Sequence, residues 1–247
     1  MKKVNLMLSA AMIATLFACN NASQEKTEVQ QEMVSESPKP LVQEVLTKEQ
    51  RDALTPDEII QTFKEGNERF VNNELTARDY SAQVRMSATG QFPKAVVLSC
   101  LDSRVPVEDV FDRGIGDIFV GRVAGNFVNE DLLGSMEFGC KVAGAKVILV
   151  LGHEHCGAVK AAVDDVKLGN ITAMLSKIRP AVDKVQYNGD RTSNNAEFVH
   201  MVCESNVQHT IEQIRKDSPI LKEMEESGQI KIVGAVYDMD SGVVTFL

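Results

Sequence analysis

Two apolar runs constrain this chain more than any other feature, because each ends abruptly in residues that carry chemistry. Lys94-Ala-Val-Val-Leu-Ser99 leads into Cys100-Leu101-Asp102-Ser103-Arg104, and Lys146-Val-Ile-Leu-Val-Leu151 leads through Gly152 into His153-Glu154-His155-Cys156. Runs of this length without polar alternation read as strands buried on both faces, which means a parallel sheet covered by helices. Both clusters then sit at the carboxyl ends of their strands, the edge at which open α/β sheets bind ligands. Two thiols and an imidazole form a soft ligand set suited to zinc. Three protein ligands leave the fourth position open, and that opening distinguishes a catalytic zinc from a structural one.

The rest of the chain supplies the helices such a sheet needs. Thr55-Pro56-Asp57-Glu58 is a helix start, with a capping threonine, proline at the first helical position and acids against the positive dipole end. Ile59, Ile60, Phe63 and Phe70 continue it as one apolar stripe. Residues 76–91 read as a loop, 118–121 as a second strand and 131–142 as a helix ended by Gly144. Helices are expected over 157–167, 171–185 and 196–216, and a short one runs from Ser218-Pro219 to Ser227-Gly228. Residues 230–236 form a further buried strand and 242–247 a last one at an edge. Strands alternating with helices predict a single α/β domain with a mainly parallel central sheet flanked by helices. Gly114-Ile-Gly116 precedes a strand and lacks a third glycine, so it is no dinucleotide loop.

A formal charge of −9 argues against nucleic acid as a partner, since phosphate binding needs a basic surface. The N-terminus has a different character. Two lysines followed by the apolar stretch 4–18 have the layout of a secretory signal peptide. Leu16-Phe17-Ala18-Cys19 resembles the bacterial lipobox, in which the cysteine becomes the lipidated first residue; an ordinary signal cut nearby, or an uncleaved anchor, is the alternative. Residues 19–46 then read as a lipidated N-terminus and a disordered tether rich in Gln, Glu, Ser and Asn, and 47–247 as the folded domain. Asn20 replaces the aspartate associated with inner-membrane retention. The expected location is therefore the periplasmic face of an outer membrane or the cell surface, with the lipid as the membrane contact. The five cysteines, Cys19, Cys100, Cys140, Cys156 and Cys203, are too few and scattered for a disulfide framework. Cys140 and Cys203 read as buried structural thiols, with a bridge between them the alternative in an exported protein.

Spacing organises the two clusters. Cys100 and Asp102 lie two apart at a strand end and face one way if the extended backbone persists, with Arg104 next in the row. Residues three apart converge where a strand turns into a helix, which favours His153 over His155 as the ligand beside Cys156. His155 reads as a solvated histidine at a helix start, with a proton shuttle as the alternative, and His200 and His209 as structural or surface residues away from the site. Asp102 can accept a hydrogen bond from the attacking oxygen or bind the metal as a fourth ligand; Arg104, as a bidentate partner, would hold it off the metal.

This combination resembles the β-class carbonic anhydrases, whose signatures are C-x-D-S-R and H-x-x-C. The likeness extends to Gly66-Asn67-Glu68-Arg69-Phe70, Arg122-Val123-Ala124-Gly125-Asn126 and Gly157-Ala158-Val159. It implies one zinc per subunit held by Cys100, His153 and Cys156, with Asp102 and Arg104 as a catalytic dyad. It implies reversible hydration of carbon dioxide to bicarbonate and a proton, by a zinc-bound hydroxide that the dyad orients. It also implies a homodimer or higher homo-oligomer, with N-terminal helices packing outward as an arm toward a second copy. By position, Gln91 resembles the family's substrate-binding glutamine, and Phe119, Ala124, Phe138 and Gly157 its pocket residues, Phe138 replacing a more usual tyrosine. The regulatory bicarbonate pocket found in part of the family uses tryptophan, and this chain has none. A three-histidine zinc site brings bound water to a pKa of about 7. Two thiolates neutralise more of the metal's charge, so activity is expected to favour mildly alkaline pH. Two other readings use the same residues: a hydrolase of carbonyl sulfide or carbon disulfide, and a catalytically silent, lipid-anchored zinc-binding protein.

Overall fold

A computed structural model describes residues 41–247; the expected signal peptide, Cys19 and most of the tether lie outside the described residues. Helices α1 (Lys48–Ala53), α2 (Pro56–Val71) and α3 (Tyr80–Ser87) precede strand β1 (Ala95–Ser99). Then come α4 (Val107–Val110), β2 (Ile118–Arg122), α5 (Glu130–Glu137) and β3 (Val147–His153). Helices α6 (Gly157–Val163), α7 (Gly169–Leu175), α8 (Arg179–Lys184), α9 (Ala196–Asp217) and α10 (Pro219–Glu226) lead to β4 (Lys231–Tyr237) and β5 (Val244–Phe246). The sheet order is β2-β1-β3-β4-β5, parallel except for β5, which runs antiparallel on β4.

Alternation along β1 divides the core. Val96 and Leu98 face α5, α9 and α10 with Met136, Val207, Ile211 and Leu221. Ala95 and Val97 face α2 and α4 with Ile59, Phe63, Val107 and Phe111. Every residue of β1 and β3 is buried, which is why neither strand shows polar alternation. Chain order reverses at β1, whose neighbours are β2 on one side and β3 on the other. That reversal opens a crevice beyond the carboxyl ends of β1 and β3, where Ser99 lies beside Leu151.

Several local expectations are corrected. Of the N-terminal helices, α2 does not pack outward: its Ile59 and Phe63 are fully buried against the chain's own sheet. Burial of such side chains stabilises the domain by about 1.5–3 kcal/mol each. Arg51 of α1 is buried and donates to Ala143 O. Order begins before residue 47, since Val42 bridges to Arg78. The expected loop over 76–91 contains α3, started by Asp79, whose side chain accepts from Ala82 N. The helix expected over 171–185 is two, α7 and α8, and Pro180 sits in the first turn of the second. The helix expected over 157–167 ends at Val163. After α5 the chain continues through a wider π-helical turn, Phe138–Val142.

Candidate metal centre

β1 and β3 deliver the two clusters to the crevice from adjacent strands. After His153 the chain reverses sharply, with His155 at φ 55°, in the left-handed region that histidine enters more readily than most residues. The reversal returns Cys156 to the side of His153 and starts α6 at Gly157. The Cys100, His153 and Cys156 ligand atoms all lie within 4.8 Å of one another, and all three residues are buried. The two sulfurs are 3.9 Å apart. Among the described residues this is the one group of three or more such side chains placed to share an ion.

The hydrogen bonds fix the imidazole for liganding. His153 Nδ1 donates to the Glu154 carbonyl at 2.8 Å, so the proton resides on Nδ1 and Nε2 carries a lone pair. Nε2 is buried and has no protein partner. The thiols are equally telling. The hydrogen bond with Cys156, with smaller help from the Gly125 amide, holds Cys100 well below the ordinary thiol range against its burial. That same bond, burial and the charge on Cys100 push Cys156 up. Protein groups alone thus allow one thiolate and oppose a second. A dication between the sulfurs removes that opposition, so the donor set fits zinc with ligands Cys100, His153 and Cys156.

Asp102 stands beside this group, outside it. Arg104 grips its carboxylate from Nε (2.9 Å to Oδ1) and Nη2 (2.8 Å to Oδ2), and the Arg104 amide adds 3.0 Å to Oδ1. Asp102 Oδ2 lies 3.9 Å from His153 Nε2, so the carboxylate faces the ion position while the guanidinium holds it back. The Arg104 side chain, assisted by its amide, lowers the Asp102 carboxyl to about 2.

An open cleft of about 410 Å³ is lined by Cys100, Asp102, Arg104, Ala124, Gly157 and Ala158. Of the five pocket candidates, Ala124 and Gly157 line this cleft. The other three pocket candidates are not in this chain's cleft. Phe119 and Phe138 line an apolar groove of about 570 Å³ along β2. Gln91 is exposed ahead of β1, at the opposite edge of the sheet. His155 is half exposed, its Nε2 3.5 Å from Asp240 Oδ2. His200 is not remote, as the sequence suggested; its Nδ1 meets Glu154 Oε1 at 2.5 Å. Cys140 and Cys203 are free and buried, as expected, and Cys203 Sγ donates to His153 O at 3.3 Å. Sequence reasoning also missed Arg122, which spans Cys100 O (3.0 Å) and Val105 O (2.8 Å) and braces the turn after β1.

The sequence pattern of the carbonic anhydrase family matches residues 95–244, from β1 into β5 and across both clusters. Carbonic anhydrase 2 of Mycobacterium tuberculosis is 36% identical over 186 residues, which cover 73% of this chain and 87% of that protein. The chain belongs to the carbonic anhydrase family. A β-carbonic anhydrase of Coccomyxa, solved in complex with acetazolamide, is 25% identical with a TM-score of 0.60, over 77% of this chain and 85% of that one. A tetrameric β-carbonic anhydrase from Sordaria macrospora shares the fold at 21% identity and a TM-score of 0.57, over 68% of this chain and 90% of that one.

Proposed function

We propose that this carbonic anhydrase family member binds one zinc through Cys100, His153 and Cys156 and catalyses reversible hydration of carbon dioxide to bicarbonate and a proton. The observation that carries the reading is the unpartnered His153 Nε2 facing two thiols beside a carboxylate already held by an arginine. Zinc bound there would act as a Lewis acid that makes coordinated water more acidic than bulk water, though less so than a three-histidine site would. The chain's own groups supply orientation. Asp102, locked by Arg104, presents a carboxylate oxygen that accepts a hydrogen bond from the attacking oxygen and so aims its lone pair at carbon dioxide. Ala124, Gly157 and Ala158 leave a small, mostly apolar space suited to a linear, uncharged substrate.

The cleft is open on one side, and Gln91, Phe119 and Phe138 lie too far round the molecule to close it. We assign them to the site of a second copy, docked along the exposed edge of β2, so that the working unit is a homodimer or larger. Residues 1–19 support export and lipid attachment at Cys19, with delivery to the periplasmic face of an outer membrane or the cell surface. Palmitate labelling should follow Cys19 and vanish in Cys19→Ala; a variant that labels equally well would end the lipoprotein reading. The catalytic reading is tested by stopped-flow hydration of carbon dioxide. Asp102→Ala should lose about 100-fold or more in kcat while retaining zinc in elemental analysis. Equal rates in the two proteins would leave a silent binding protein instead.

A further inference from the structure

Helix α9 passes behind both halves of the centre and presents polar side chains on one stripe: His200, Cys203, Asn206 and Thr210. The first three reach a candidate ligand or a group that touches one, and Thr210 reaches the residue after that. His200 meets the Glu154 carboxylate and Cys203 the His153 carbonyl. Asn206 Nδ2 donates to Gly125 O at 2.8 Å, and Thr210 Oγ1 to Asn126 O at 3.3 Å.

Asn206 is the costly member. Its side chain is 1% exposed, and its Oδ1 has no protein partner. A buried, half-satisfied amide is destabilising, so the group its other end holds must offset that loss. That end holds Gly125, whose own N–H donates to Cys100 Sγ at 3.3 Å. Gly125 sits at φ 84°, where a Cβ would lie 2.3 Å from Ile178 Cδ1, so no side chain can anchor the residue. Its carbonyl is the remaining handle, and Asn206 grips it.

We infer that Asn206 is a positioning residue of the metal centre: by fixing the Gly125 carbonyl it aims the Gly125 amide at the Cys100 sulfur, and so sets how much charge the thiolate passes to the cation. Asn206 touches neither substrate nor ion. The inference rests on the reading of Cys100, His153 and Cys156 as ligands. A hydrogen bond to a ligating thiolate stabilises the sulfur lone pairs, and outer partners of this kind orient the ligand and tune the metal.

The test uses the full-length protein loaded with cobalt(II), whose thiolate-to-metal charge-transfer absorption reports on the sulfur directly. Asn206→Asp keeps the size and removes the donor. It should move the band to longer wavelength and lower metal affinity by about 10- to 100-fold, read by competition with a chromogenic chelator. Thr210→Val removes the next bond on the same helix and should leave the band in place. Should Asn206→Asp fail to fold, Asn206→Ser, too short to reach the carbonyl, replaces it. A band unmoved in the Asn206 variant overturns the positioning role while the liganding stands. A band moved equally by Thr210→Val reveals general loosening of α9 and overturns it as well. Wild-type protein lacking any thiolate–cobalt band would remove the liganding itself.

Discussion

Among single residues, Asp112 carries the clearest pH consequence. Its side chain is fully buried and accepts from Arg69 Nε and Arg78 Nη1 (both 2.5 Å), Thr76 Oγ1 (2.7 Å) and Thr76 N (3.1 Å). Burial alone would raise this carboxyl, but the hydroxyl and guanidinium bonds together outweigh it and bring it to about 2. An unfolded aspartate titrates near about 3.9. The folded value is the lower, so the stabilisation is complete above that unfolded value and is lost as pH falls through the folded one. Asp112→Asn should therefore be less stable at neutral pH, by about 3 kcal/mol, with a flatter stability profile between the two values. Urea midpoints measured across that window check this; parallel acid limbs in the two proteins would show that Asp112 contributes no charge-dependent stability. The residues of the candidate centre could be placed from the chain for a related reason. Cys100, Asp102, Arg104, His153 and Cys156 are each fixed by the strand end they occupy, and strand ends can be read along the chain. Asn206 and His200 act on groups 81 and 46 residues away, through a helix whose packing the sequence does not display. An amide on the apolar face of α9, one position before Val207, was the sole hint.

At the level of elements, legibility followed burial. β1 and β3 were read from unbroken apolar runs, β4 as a further buried strand, and α2 from its capping threonine, Pro56 and apolar stripe, because local pattern and tertiary role agree there. α3 was missed because it buries only Ala82 and Gln83, while Tyr80, Val84 and Met86 are exposed, so its apolar residues mark no inward stripe. The signal available was Asp79, a capping residue three positions before the amide it accepts from. Pro180 likewise announced the break between α7 and α8, since a proline inside a helical pattern ends or restarts the helix. The outward N-terminal arm failed for a different reason. The stripe of Ile59 and Phe63 states that α2 buries a face but not whose core receives it, and here the chain's own sheet does.

At the scale of the whole molecule, a strand edge and several apolar side chains lie uncovered among the described residues. β2 is one of the sheet's two outer strands, and all its residues keep partial exposure. An unpaired edge of this kind is a template for another strand unless something covers it. Around it Phe138 is 56% exposed, Val142 70% and, at the mouth of the cleft, Leu101 65%. Apolar exposure at this edge, next to the open cleft, fits the proposed second copy of the same chain, because a two-fold arrangement would bury both patches and complete both clefts at once. Phe138→Glu places a charge in that contact without touching the ligands, the dyad or the buried core. Sedimentation should show the wild-type protein as a dimer or larger and the variant as a monomer that keeps its zinc and its helical content. Carbon dioxide hydration should fall at least about tenfold, in line with the loss of groups that shape and dry the cleft. A wild-type protein that is monomeric and fully active would defeat the shared-site assignment. So would a Phe138→Glu monomer that works at the wild-type rate, because either result would mean one chain's Ala124, Gly157 and Ala158 suffice as the pocket wall.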